Sequence, residues 1–184
     1  AYGEGEKPVL TGSLKNYADP SLWEKTDVEN VYVLKEKLTN VGIICFDHGL
    51  YDYGNYDALY GKNRIYGSNI SSYDALLEDL EFFSCDRVLY LRSDKGNPGE
   101  VFSDIEAIVA GTIVRIWSHA NVTVDNLCLK YCCFAVSGGG HVAGLHVSNC
   151  EIGWIGGNIQ HYYGTDPNYP QGKRGTVTRF GNGI

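Results

Sequence analysis

One sequence pattern occurs twice in this chain, as Asn121-Val-Thr-Val-Asp-Asn-Leu-Cys-Leu-Lys-Tyr131 and as Gly144-Leu-His-Val-Ser-Asn-Cys-Glu-Ile-Gly-Trp154. A shift of 23 residues superimposes the two copies, so that Val124 meets Val147 and Leu129 meets Ile152. Apolar and polar residues alternate in both copies, which is the period of a β-strand with one buried face. The two copies are therefore predicted to be strands in equivalent positions.

A shorter motif, [Asp/Asn]-apolar-x-apolar, extends the pattern upstream. It begins at Asp79, Asp104, Asn126 and Asn149, at intervals of 25, 22 and 23 residues. Repeats of this length are typical of solenoids, and a strand-and-turn repeat fits one rung of a parallel β-helix, which buries its apolar face against the next rung. The Asx residue suits a sharp corner, because it tolerates the left-handed conformation. We predict an all-β, right-handed parallel β-helix with rungs of about 22–25 residues; the alternative is a β-sandwich with asparagine-containing turns.

Five segments resemble the secreted right-handed parallel β-helix repeat proteins of the pectate-lyase-like superfamily. They are Gly5-Glu-Lys-Pro-Val9, Arg92-Ser-Asp-Lys-Gly-Asn-Pro-Gly99, Asn121-Val-Thr-Val-Asp-Asn-Leu127, Asn149-Cys-Glu-Ile-Gly-Trp-Ile-Gly-Gly157 and Arg179-Phe-Gly-Asn-Gly-Ile184. The resemblance implies an extracellular or cell-surface protein that acts on polysaccharide, as a lyase or a glycosidase. The alternative is a non-catalytic carbohydrate-binding or adhesin-like β-helix.

The composition suits a single turn-rich β domain. The chain has 184 residues, with 23 Gly and 14 Tyr, and no run approaches the ~18 apolar residues of a membrane-spanning helix. The net charge of −7 argues against a nucleic-acid partner. We expect one incomplete β-helix domain over residues 1–184, an internal fragment with core rungs at about 75–157 and insertions at about 47–74 and 158–175.

The six cysteines, at positions 45, 85, 128, 132, 133 and 150, form no CxxC pair and match no zinc spacing. They are predicted to pack as small apolar residues; a disulfide remains the alternative. Two further runs, Pro8-Val-Leu-Thr11 and Val41-Gly-Ile-Ile-Cys-Phe46, are predicted strands, and the run Gly138-Gly-Gly140 most simply supplies positive φ.

Candidate catalytic residues follow from the chemistry of polysaccharide lyases, which need a base beside a uronate carboxylate and cations to neutralise that carboxylate. His146 aligns with Thr123 on an outward face and is a candidate base, or a solvated surface histidine. Lys173 and Arg174 are candidates for contacting the uronate, or for balancing nearby acids. The Asn-Thr-Asp, Asp-Asp and Arg-Ile-Lys motifs of polygalacturonases do not occur, which disfavours a pectin hydrolase.

Candidate binding residues are aromatic, because Tyr and Trp offer a sugar ring a large contact area and a polar group. The aromatic candidates are Tyr51, Tyr53, Tyr56, Trp154 and Tyr162, and the cationic side chain of Arg179 is a further candidate. Glu81 and Glu106 occupy the same place in the short motif. Stacked like charges are unfavourable, so a bound cation such as Ca²⁺ would explain the pair; the alternative is that both carboxylates point into water.

Overall fold

The computed structural model describes residues 5–38, 41–47, 72–85, 87–109, 111–156 and 183–184. Within these ranges the chain forms thirteen short strands and one helical turn. They are β1 (Val9–Thr11), β2 (Trp23–Lys25), β3 (Val31–Leu34), β4 (Val41–Phe46), β5 (Phe82–Cys85), β6 (Val88–Arg92), α1 (Pro98–Val101), β7 (Ile105–Val109), β8 (Thr112–Trp117), β9 (Thr123–Asp125), β10 (Cys128–Cys132), β11 (Phe134–Gly139), β12 (His146–Ser148) and β13 (Glu151–Ile155). Two 3₁₀ turns, Pro20–Leu22 and Tyr73–Ala75, precede β2 and β5.

The later part of the chain forms three small parallel sheets. Strand β8 pairs with β11, β9 pairs with β12, and β10 lies between β1 and β13. Val124 lies opposite Val147 and Leu129 opposite Ile152, which confirms the register predicted from the 23-residue shift. The corners before β10 and β13 contain Asn126 and Asn149 with φ of 55° and 51°, as expected for asparagine in the left-handed region.

The strands from β2 to β7 pair in antiparallel fashion, whereas β1 belongs to the parallel sheet with β10. Strands β2, β3, β6 and β5 form one sheet in that order, and β4 pairs with β7. Strands β5 and β6 form a hairpin in which Cys85 lies opposite Val88, so that two residues connect them. A two-residue connection permits only antiparallel pairing of the two strands, because parallel strands that follow one another need a crossover of a dozen or more residues.

The predicted right-handed parallel β-helix is therefore wrong. The described sheets are short and separate, and they mix parallel with antiparallel pairing. The first two copies of the short motif cause the error: Asp79 precedes hairpin strand β5, and Asp104 precedes β7, which runs antiparallel to β4. Most of the two predicted insertions lies outside the described residues.

The apolar core is divided between the two parts. Tyr17, Trp23, Phe46 and Phe82 belong to the cluster beneath the antiparallel sheets, and Trp23 donates its indole N–H to the carbonyl oxygen of Tyr17 at 2.9 Å. A second cluster packs between the parallel sheets around Leu129 and is made largely of aliphatic side chains. In the described part of the chain, no helix is long and apolar enough to cross a membrane.

The five cysteines whose side chains the structure describes pack as the sequence predicted. Cys45, Cys128, Cys132 and Cys133 are buried free thiols, and Cys150 is a partly buried one. Burial raises the pKa of the Cys132 thiol to about 12 and also raises the pKa of Cys133. The thiols of Cys132 and Cys133 are thus protonated, apolar components of the core rather than nucleophiles.

The raised pKa of Cys132 predicts a loss of stability in alkali. The unfolded thiol ionises above its ordinary pKa of 9.0 and the folded thiol only near 12, so the folded state binds more protons between these values. Its contribution to stability is complete below pH 9 and is lost as the pH rises through this window. Urea unfolding at pH 8 and at pH 10 would measure this loss. Between these pH values we expect the free energy of unfolding of the wild type to fall by about 1 kcal/mol more than that of Cys132→Ala. Equal decreases would contradict this assignment.

Candidate functional site

Seven of the sequence-predicted site residues lie outside the described ranges, so their roles stay predictions. They are Tyr51, Tyr53, Tyr56, Tyr162, Lys173, Arg174 and Arg179. The structure describes His146, Trp154, Glu81 and Glu106. It places His146, Trp154 and Glu106 in three different sheets and Glu81 just before β5.

Trp154 has little ring surface to offer a sugar. It is 9% exposed and belongs to an apolar cluster with Cys45, Ile108 and Tyr131. Tyr131 and Trp154 share the left-handed conformation, with φ of 54° and 59°, so the 23-residue repeat holds for their backbone as well. This conformation accompanies burial of both rings in the core.

Glu81 and Glu106 do not stack on one another. Glu81 is 1% exposed and lies just before β5, where its Oε2 accepts hydrogen bonds from the backbone N–H groups of Leu77 at 2.6 Å and Glu78 at 2.9 Å. Glu106 lies in β7, paired with Cys45 on one side and bridged to Asn16 on the other. Among the residues described, no group of three or more His, Cys, Asp or Glu side chains could hold a metal ion, and Ca²⁺ binding stays a prediction.

His146 is exposed on β12, opposite Thr123 on β9, as the repeat predicted. The nearby carboxylate, Asp125, is engaged elsewhere: it accepts hydrogen bonds from the Ser148 hydroxyl at 2.7 Å and from the Asn149 side-chain amide at 2.9 Å. These two bonds hold the pKa of Asp125 below its ordinary value. Its hydrogen bonds orient Asp125 toward Ser148 and Asn149 rather than toward the imidazole.

A cleft of about 400 Å³ lies between β1 and the start of β8. Val9, Leu10 and Ile113 contribute apolar walls, and Cys132 lies against it. The lining carries no acidic or basic side chain, and the raised pKa keeps the Cys132 thiol protonated. The cleft therefore lacks the groups that acid-base or nucleophilic chemistry requires.

The most distinctive exposed side chain is Trp117, which sequence reasoning missed. It ends β8, is 61% exposed, and follows Ile116, which is 4% exposed and faces the core. Its partner across the parallel pair is Gly139 on β11. A single exposed apolar side chain is ordinary on a protein surface, but an indole also offers a ligand a large contact area and a polar N–H.

Gly139 provides the surface on which the indole lies. A Cβ atom at Gly139 would be 2.3 Å from Cζ3 and 2.4 Å from Cε3 of Trp117, so any side chain there would displace the ring. A Cβ atom at Gly140 would instead meet the Ser118 hydroxyl at 2.5 Å, and it would lie 3.6 Å from the indole Nε1, an ordinary contact distance. The ring thus packs against the backbone of Gly139 while the residue remains 61% exposed.

Exposed polar residues adjoin Trp117 along the strands. Arg115 precedes Trp117 by two residues on the same face of β8, Ser118 and His119 follow the end of β8, and His141 follows the end of β11; all four are exposed. We call this surface the Trp117 platform, defined as Arg115, Trp117, Ser118, His119, Gly139, Gly140 and His141. The glycine run that sequence reasoning assigned to positive φ has that conformation only at Gly140, since Gly138 and Gly139 belong to β11. In the sequence, the 22-residue separation of Trp117 and Gly139, close to the length of the repeat, was the available sign that the two residues are paired.

Comparison with known proteins does not assign a function. No protein-family model, no curated protein and no solved structure matches the chain. The chemistry of the Trp117 platform is therefore what bears on the function of this protein.

Proposed function

We propose that this protein binds carbohydrate non-catalytically through the Trp117 platform. The observation that carries the proposal is the indole of Trp117, which is 61% exposed and packs against the backbone of Gly139. An aromatic ring offers a large apolar area at low conformational cost and a polar N–H at its edge. A sugar ring has a complementary shape, with an apolar C–H face and hydroxyl groups around its rim.

The neighbouring residues suit hydrogen bonding to hydroxyl groups. Ser118, His119 and His141 can each donate and accept, and each is exposed at the corner beside the ring. Recognition sites of this kind combine an aromatic contact surface with a few placed polar groups.

The platform contains no carboxylate, which disfavours glycoside hydrolysis at this surface. Glycoside hydrolases use a pair of Asp or Glu side chains on either side of the bond they cleave. The predicted lyase or glycosidase activity depends on His146 together with Lys173 and Arg174, of which the structure describes only His146. That activity and the predicted extracellular or cell-surface location stay predictions.

Replacement of Trp117 by alanine tests the proposal. We expect the affinity for polysaccharide to fall about tenfold or more, because the stacking contact and the buried apolar area are both removed. Affinity gel electrophoresis against a panel of neutral and acidic polysaccharides would measure the change. Leu77→Ala is the matched control, since Leu77 is 66% exposed and lies outside the platform.

A second variant tests whether binding depends on the position of the Trp117 ring as well as on its presence. Gly139→Ala retains Trp117 but forces the ring off β11, so we expect it to weaken binding as well, with an altered tryptophan fluorescence. If Trp117→Ala bound each of these polysaccharides as tightly as the wild type does, the proposed function would be refuted.

A further inference from the structure

The surface around the Trp117 platform differs in charge from the rest of the chain. The chain carries a net charge of −7, with 15 basic and 22 acidic residues. Between Gly111 and Asn149, however, the sequence contains Arg115 and Lys130 and a single acidic residue, Asp125. Three of the five histidines, His119, His141 and His146, fall in the same stretch.

Arg115 is positioned to contact whatever lies on the ring. It and Trp117 are exposed on one face of β8, on either side of buried Ile116, and residues two apart on a strand are about 7 Å from each other. Within the described ranges Arg115 takes part in no hydrogen bond or ion pair that the structure shows. Its guanidinium therefore remains available for a planar, bidentate contact with an anion.

Asp125, the single acidic residue between Gly111 and Asn149, is engaged elsewhere. It ends β9 and is bonded to Ser148 and Asn149, whereas the strand paired with β8 carries no charged residue from Phe134 to Gly139. Within this described segment, an anionic ligand on the platform would thus meet a cation and N–H donors without an opposing acidic residue on the paired strand.

We propose that the Trp117 platform selects acidic sugars, with a carboxylate or sulfate group bound to Arg115 while the sugar ring stacks on Trp117. The inference rests on the proposed carbohydrate binding and adds the chemical class of the ligand. Attraction between exposed charges is screened by salt, so binding of acidic polymers should weaken as ionic strength rises.

The test compares four polymers on the full chain: polygalacturonate, which carries carboxylates; dextran sulfate; uncharged dextran; and polyglutamate, which is acidic but contains no sugar. For the wild type we expect one or both acidic polysaccharides to bind about tenfold more tightly than dextran and polyglutamate. Arg115→Gln should reduce that affinity to the level of dextran. Lys95→Gln, which removes an exposed cation in the turn after β6, is the charge-matched control and should change nothing.

The outcomes separate this inference from the proposal beneath it. Equal binding of dextran and the acidic polysaccharides, unchanged in Arg115→Gln but lost in Trp117→Ala, would overturn the selectivity and leave carbohydrate binding intact. Binding of polyglutamate as tight as that of the acidic polysaccharides would overturn it too, by showing attraction to charge alone. If Trp117→Ala bound all four polymers as the wild type does, both proposals would be overturned.

Discussion

Replacing Leu129 with alanine is expected to lower the free energy of unfolding by about 3 kcal/mol. Leu129 is completely buried in β10, the central strand of a parallel sheet, where it lies between Leu10 of β1 and Ile152 of β13. Alanine would remove apolar contacts on both sides and leave a cavity between two neighbouring strands that are held in place by their own hydrogen bonds. Urea unfolding followed by circular dichroism would measure the loss.

Leu14→Ala is the control for Leu129→Ala. Leu14 is 73% exposed, so the same chemical change should alter the free energy of unfolding by less than about 0.5 kcal/mol. If Leu129→Ala cost no more than Leu14→Ala, the pairing of β10 between β1 and β13 would be incorrect.

Replacing Glu81 with alanine is expected to cost about 2 kcal/mol of unfolding free energy. The side chain is 1% exposed, and its Oε2 accepts the N–H groups of Leu77 and Glu78. Alanine would leave both donors without this acceptor and create a cavity beside β5. Glu81→Gln retains a side-chain oxygen in nearly the same volume, so it should cost less than Glu81→Ala, and thermal or urea unfolding of the three proteins would give the order.

The same variants test the Ca²⁺ site predicted from the sequence. A structural role for Glu81 predicts that added Ca²⁺ leaves the unfolding midpoint of the wild type unchanged. A metal role predicts that Ca²⁺ stabilises the wild type and not Glu81→Gln, because a ligand that binds only the folded state raises its stability. The second result would replace the hydrogen-bonding explanation of Glu81.

Local structure could be predicted from the sequence wherever one rule relates residue type to conformation. The alternation in residues 121–131 and 144–154 identified most of the core-facing side chains, although Cys128, at an outward position of the pattern, is buried. The 23-residue shift specified the register of β9 with β12 and of β10 with β13. Asn126 and Asn149 adopt the left-handed conformation expected of them. The strand at Val41–Phe46 and the apolar packing of the buried cysteines were also predictable.

The direction and identity of the neighbouring strand required the tertiary structure. Alternation is the same in a parallel and in an antiparallel strand, so the motifs at Asp79 and Asp104 looked equivalent to those at Asn126 and Asn149. The hairpin between β5 and β6 and the pairing of β7 with β4 give the first two motifs antiparallel neighbours. This difference separates the predicted solenoid from the observed mixed fold.

The candidate site was likewise decided by tertiary contacts. Trp117 is the last residue of β8 and Trp154 the second-last residue of β13, and sequence reasoning chose Trp154 for sugar binding. In the fold Trp154 packs against Tyr131 and Cys45, whereas Trp117 lies opposite Gly139 and stays open. The sequence alone determined the strand repeat and its corners, because these depend on residues close along the chain. Exposure of an aromatic ring depends on the residue across from it, and only the folded structure pairs Trp117 with a glycine 22 residues away.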